Sequence, residues 1–100
     1  MNLEQFKARF ITETSTTRER TMHTGNAFWL ANAYELPEVE GFSEKELWAD
    51  GPYRRVWICY EQRAILTFCE GDITVEEYAT EGGYAEAVAK ADEFYRKIAG

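Results

Sequence analysis

The chain is poor in the residues that catalysis and metal binding draw on. Its 100 residues include one histidine, His23, and two cysteines, Cys59 and Cys69. His23 lies between Met22 and Thr24 in a polar stretch, with no Cys, Asp or Glu at ligand spacing, so it reads as a solvated or hydrogen-bonded side chain. Neither cysteine sits in a nucleophile elbow or at a helix N-terminus, where its pKa would fall. Paired carboxylates are equally unpromising. Glu76 and Glu77 would point to opposite faces of a strand, and Asp92 and Glu93 to the polar side of a helix. Gly71 and Gly82-Gly83 are accounted for by a turn and a helix entry, and Glu70-Gly71-Asp72 lacks the spacing of a calcium loop. The expectation is therefore no catalytic residue, no metal and no cofactor.

Long apolar runs are missing too. No stretch approaches the roughly 18 residues that cross a bilayer, and the opening MNLEQFKARF carries charges where a signal peptide needs an unbroken apolar segment. No membrane association and a cytoplasmic location follow as expectations. Basic residues are scarce, with 11 Lys and Arg against 18 Asp and Glu, for a net charge of −7. A surface that neutralises phosphates needs the opposite sign, so direct nucleic-acid binding is not expected.

What is present is ample apolar material: 45% hydrophobic residues, with 15% aromatic. That suffices for a single domain over residues 1–100 with one core, and the aromatics exceed what a small core needs, so some must reach the surface. Leu3, Phe6, Phe10 and Ile11 follow helical spacing and predict a helix over residues 2–12. The Thr-rich stretch TETSTTRERTMHTG that follows has few apolar residues and reads mostly as loop, with an exposed edge strand as the alternative. Residues 26–36 fit a strand or a helix; the aromatics and Pro37 favour strand. Ser43 with Glu46 forms a capping-box pattern that predicts a short middle helix closed by Gly51-Pro52. Residues 54–61, 64–70 and 73–79 alternate as an antiparallel meander, turning at Gln62-Arg63 and, in a type II′ turn, at Gly71-Asp72. Tyr84, Val88, Ala91, Tyr95 and Ile98 keep a 3.6-residue period, predicting a C-terminal helix that runs to Gly100.

The fold expected from these elements is α+β. It has an antiparallel meander of three or four strands, with an N-terminal, a middle and a C-terminal helix mainly on one sheet face. In the meander register Trp57, Cys59, Leu66, Phe68, Ile73 and Val75 share a face, expected to lie under the C-terminal helix. The other face, with Val56, Ile58, Ile65 and Cys69, is too apolar for water and calls for a cover: the N-terminal segment, a second copy or a partner. The two cysteines then fall on opposite faces and cannot form a disulfide.

Charge is unevenly distributed. Three acids stand against four bases over residues 1–34, twelve against four over 35–81, and three against three over 82–100. Solubility alone accounts for a modest excess. The sharper reading is a surface for a basic partner protein, nucleic-acid-handling proteins included. In it, Glu38, Glu40, Glu44, Glu46, Glu76 and Glu77 steer approach, and Trp48, Tyr53 and Tyr78 act as anchors. Residues 73–79 would be an edge strand whose acids also deter strand addition. Small size, acidity and a lack of catalytic groups are shared with cytosolic inhibitors such as phage anti-defence or toxin-immunity proteins; this likeness is compositional and no motif carries it. The expected function is thus a non-enzymatic protein that binds and inhibits a basic partner. The alternatives are a small-ligand or enzymatic domain with a pocket between sheet and helices, and a homo-oligomeric structural protein, a homodimer being its simplest form.

Overall fold

A computed structural model describes residues 1–99, so the predicted helical end at Gly100 lies outside the described residues. The chain opens with helix α1, Leu3–Phe10. Its start is set by a capping box: the Asn2 side chain accepts the Gln5 N–H at 2.8 Å, and the Gln5 side chain accepts the Asn2 N–H at 2.9 Å. Leu3, Phe6 and Phe10 form its buried stripe. The helix stops at Phe10 because Ile11 is already extended and begins strand β1, Ile11–Thr16.

β1 turns back at residues 17–19 into β2, Arg20–Asn26, which pairs with it antiparallel. The Thr-rich stretch is thus a hairpin and not a loop. Its threonines suit a pleated strand through their β-branched side chains, but with β1 mostly exposed the apolar alternation that marks a strand is missing. Gly25 is required where α1 runs into the hairpin: a Cβ there would stand 1.8 Å from the Phe10 carbonyl oxygen.

Residues 27–42 are irregular, with one 3-10 turn at Ala33–Glu35, so the segment 26–36 is neither the favoured strand nor a helix beyond Asn26. It acts as a strap. Ala33 N–H donates to Pro52 O (3.0 Å) at one end of the sheet, and Gly41 lies near Cys59 at the other. Two residues of strand β3, Ser43–Glu44, then pair with β4, Arg54–Cys59. The expected middle helix is absent. Ser43 is spent on pairing with Ile58, and only a single 3-10 turn, Glu46–Trp48, follows. With Ser43 in the strand, Lys45 stands at the N-cap and makes no side-chain cap bond, so the expected helix lacks the capping box that starts the equally short α1.

β5, Ala64–Cys69, and β6, Asp72–Tyr78, complete a six-stranded antiparallel sheet in the order β1-β2-β6-β5-β4-β3, in place of three or four strands. β6 is central, between β2 and β5, and not an edge. Cys59 faces Ala64 across a four-residue loop in which Arg63 takes φ 51°, so the register sits two residues from the tight-turn expectation. A shift of two leaves every side chain on its own face, and Cys59 and Cys69 do lie on opposite faces as free thiols. The second turn is centred on Glu70 and Gly71, both at positive φ (50° and 97°), the type I′ geometry and not II′.

Helix α2, Glu81–Ala99, follows β6 directly, with the Thr80 hydroxyl accepting the Gly83 N–H at 3.0 Å. The two helices lie on opposite faces of the sheet. Leu66, Phe68, Ile73 and Val75 form a core with Leu3, Phe6 and Phe10 of α1 and with Ala33 and Val39 of the strap. Val56, Ile58 and Ile65 form a second core with Trp48 and with Tyr84 and Val88 of α2. The grouping of residues by face is as expected, but α2 covers the other face. Alternation decides which side chains point together; with both faces apolar it does not decide which cover each receives. Among the described residues no helix is long and apolar enough to cross a membrane.

Candidate functional site: an aromatic end and a cavity under the strap

The acids expected to form one surface are divided by the sheet. Glu77 lies on the α1 face, where Oε1 meets Lys7 Nζ at 3.0 Å and Oε2 meets His23 Nε2 at 3.1 Å. Burial pushes its carboxyl up, but hydrogen bonds from His23 and Lys7, with the charge of Lys7, outweigh this and hold it below the usual carboxylate range. His23 is buried, and its Nδ1 lies 2.9 Å from the Thr14 hydroxyl, so both ring nitrogens are satisfied. The order hydroxyl, imidazole, carboxylate is that of a catalytic triad. Here the Glu77 carboxylate is shared, Oε1 with Lys7 and Oε2 with His23, and the string reads as cross-strand bonding. Glu76 lies on the α2 face, accepts the Tyr78 hydroxyl at 2.8 Å and stands 3.6 Å from Arg20. Burial and the Glu76 carboxylate together raise the Tyr78 phenol.

Trp48 is also internal. It is buried against α2, donates from Nε1 to Asp92 at 2.6 Å and stacks on Tyr95 at 6.0 Å. Glu46 is exposed beside it. Glu44 pairs with Arg55, whose guanidinium lies 5.0 Å from the Tyr34 ring centroid. Glu38 and Glu40 are exposed on the strap, which the N-terminus pins from below: Met1 donates its ammonium to Glu38 O (3.0 Å), and Met1 O accepts the Glu40 N–H (2.8 Å). Glu38 and Glu40 therefore lie exposed along the strap, with Glu44 on the adjoining β3, and Tyr53 stands at one end of the sheet. Glu76, Glu77, Tyr78 and Trp48 belong to internal contacts elsewhere.

That end of the sheet gathers residues with no part in the expected surface. Asn26, Asp72, Cys69 and Arg54 form one row across four strands, and three loops leave from it. The loops are stitched together by Ala27 N–H to Gly71 O and Glu70 N–H to Tyr53 O, both 2.8 Å. On them Phe28 (63% exposed), Trp29 (65%), Tyr34 (65%) and Tyr53 (62%) face solvent. They are held in place while exposed. Phe28 lies against Gly71, where a Cβ would come within 2.2 Å of its ring, and Trp29 stacks on Phe10 at 6.0 Å. Both local bases are engaged: Arg54 lies over Tyr95 and Arg55 pairs with Glu44. Among the described residues Glu38, Glu40, Asp50, Glu70 and Asp72 make no ion pair. The aromatic surplus in the composition was the one signal for this patch. Its position was hidden because residues 26–36 fit both a two- and a 3.6-residue period, and the chain there takes up neither element beyond Asn26 and one 3-10 turn.

A cavity of about 340 Å³ opens beside this patch, between α1, the strap and the sheet. Phe6, Tyr34, Phe42 and Trp57 line it, and Glu38 and Glu44 are the charged residues on its wall. Its size is at the small end of ligand sites. Among the described residues no group of three or more His, Cys, Asp or Glu side chains is placed to hold a metal ion. No protein-family model matches the chain, and neither a curated protein nor a solved structure is significantly similar to it.

Proposed function

We propose that this chain is a non-enzymatic cytoplasmic protein that binds a basic protein through the aromatic end of its sheet and inhibits that partner by covering it. A partner whose positive surface serves to handle nucleic acid fits this reading best, because an acidic cover competes directly with phosphate. One observation carries the proposal: four large aromatics stand exposed on loops stitched to one another, beside carboxylates that have no internal partner. Large aromatics gathered exposed at one end of a small protein mark an interaction site, and ordered aromatics lose little entropy when they bind. The docking acids in this reading are Asp50, Glu70 and Asp72 at that end with Glu38 on the strap, while Tyr53 keeps its place as an anchor. A homo-oligomer is less well supported than it was from sequence, since the sheet face that needed a cover has α2 on it.

The test is capture from source cells on immobilised protein, at about 0.1 M and about 1 M salt, where the Debye length falls from about 10 Å to about 3 Å. Expected is a basic protein retained at low salt and released at high salt. Glu38→Lys with Asp50→Lys should slow its association, and Trp29→Ala with Tyr34→Ala should speed its release. Equal slowing by Glu86→Lys with Glu93→Lys, whose acids pair with lysines on exposed α2, would reduce the acidity to a solubility device.

A further inference from the structure

The cavity under the strap has walls of two kinds. Tyr34, Phe42, Trp57 and Phe6 supply aromatic surface, and Glu38 and Glu44 supply negative charge. Aromatic faces with carboxylates at the rim attract an organic cation, because the ring quadrupole and the carboxylate act on the same charge. The chain already shows how a guanidinium is held here. Arg55 lies over the Tyr34 ring at 5.0 Å and pairs with Glu44. Glu44 is thereby neutralised, whereas Glu38 makes no ion pair among the described residues and is exposed on the strap. An anion would meet Glu38 uncompensated, and a neutral group would leave its charge unused.

We infer that the cavity is the anchor pocket of the docking surface and takes the side chain of an arginine on the basic partner, with the guanidinium against Trp57 and paired with Glu38. The inference rests on the docking reading above. Arginine fits better than lysine because its planar, weakly hydrated head stacks on rings and pairs with a carboxylate through two N–H groups. Tyr34 links patch and pocket, being both exposed and part of the cavity wall.

The chain has three tryptophans, and they report separately: Trp57 on the cavity wall, Trp48 buried on the opposite face, Trp29 on the aromatic end. Their indole N–H signals, assigned through Trp57→Phe and Trp29→Phe, can be followed while acetyl-Gly-Arg-Gly-amide is added to the full chain. Expected is a saturable shift of the Trp57 signal with Trp48 unmoved, no saturable shift with the citrulline peptide, and affinity roughly two- to fivefold weaker in Glu38→Gln. Equal response to the citrulline peptide would overturn the cation assignment, and a shift that only follows added sodium chloride would overturn the pocket. No response of Trp57 to the peptide, with the partner still captured, would sink the pocket and leave the docking reading intact. Peptide binding without any captured partner would do the reverse.

Discussion

On one face of the sheet a 19-residue helix lays Tyr84, Val88, Ala91 and Tyr95 along Val56, Ile58 and Ile65. On the other, an eight-residue helix covers part of the area, and the irregular strap from Ala27 to Phe42 covers the rest. Among the described residues the two faces bury different amounts by different means, eleven core residues under α1 and the strap against six under α2. A helix brings its own backbone hydrogen bonds and presents a continuous ridge, so it can close tightly on a flat row of Val and Ile. The strap must find partners for its backbone at Pro52 and Met1, and it takes up no regular element beyond one 3-10 turn. A cavity remains under it and aromatics project from it, so the less regular face carries the candidate site, as loops on a rigid scaffold commonly do.

The contrast between the faces is most exposed to refutation at their largest buried side chains. Trp48→Ala on the α2 face should cost about 3–5 kcal/mol in urea unfolding, since Trp48 is buried between helix and sheet with its N–H bonded to Asp92. Phe6→Ala on the strap face should fall at or below the low end of that range, because Phe6 already borders a void into which neighbours can relax. Equal losses would mean that the two covers pack alike.

Adding volume sharpens the same point. Val88→Phe should cost about 1–3 kcal/mol by overfilling the α2 face. Leu36→Phe, on the strap beside the cavity, should be neutral or stabilise by about 0.5–1 kcal/mol. Thermal midpoints of the two variants moving in the same direction and by the same amount would contradict the cavity.

The smallest effect concerns the acids. Glu77 is held below its ordinary value of 4.5 in the folded chain, so the stability it contributes is complete above that pH and is lost as pH falls through the lower folded value. Glu77→Gln should therefore remain level over part of the interval from about pH 5 to pH 3 in which the parent protein weakens. Urea midpoints of this variant and of the parent, measured across that range, would show whether Glu77 carries part of the acid sensitivity.

The acids of the expected surface are divided between the two faces of the sheet, for a reason that the sequence hides. Glu76 and Glu77 stand in an acidic stretch whose counter-charges, Arg20 and Lys7, lie more than fifty residues away in sequence. Local charge density therefore made them look free, and only the neighbouring β2 and the overlying α1 reveal that they are paired. Glu38 and Glu40 looked the same in sequence and do remain exposed, with no ion-pair partner among the described residues. His23 was readable as a hydrogen-bonded residue, but its partners Thr14 and Glu77 were not, since they come from the strands on either side of it.

What the amino-acid order determined alone is what depends on neighbours within a few residues: the 3.6-residue stripe of α2, the stripe of α1, and the alternation that sorted Leu66, Phe68, Ile73 and Val75 from Val56, Ile58 and Ile65. It also settled that Cys59 and Cys69 point apart, because a register error of two residues returns each side chain to its own face. Tertiary structure decided the rest. The Thr-rich hairpin became two strands because β6 offered it a free edge, and Ser43 left its capping role for pairing with β4. α2 took one face and the strap the other, which set the cavity where Tyr34, Trp57 and Glu38 meet. These outcomes turn on contacts between distant segments, whose free energies compete on nearly equal terms with local preference, and no local pattern records which of them wins.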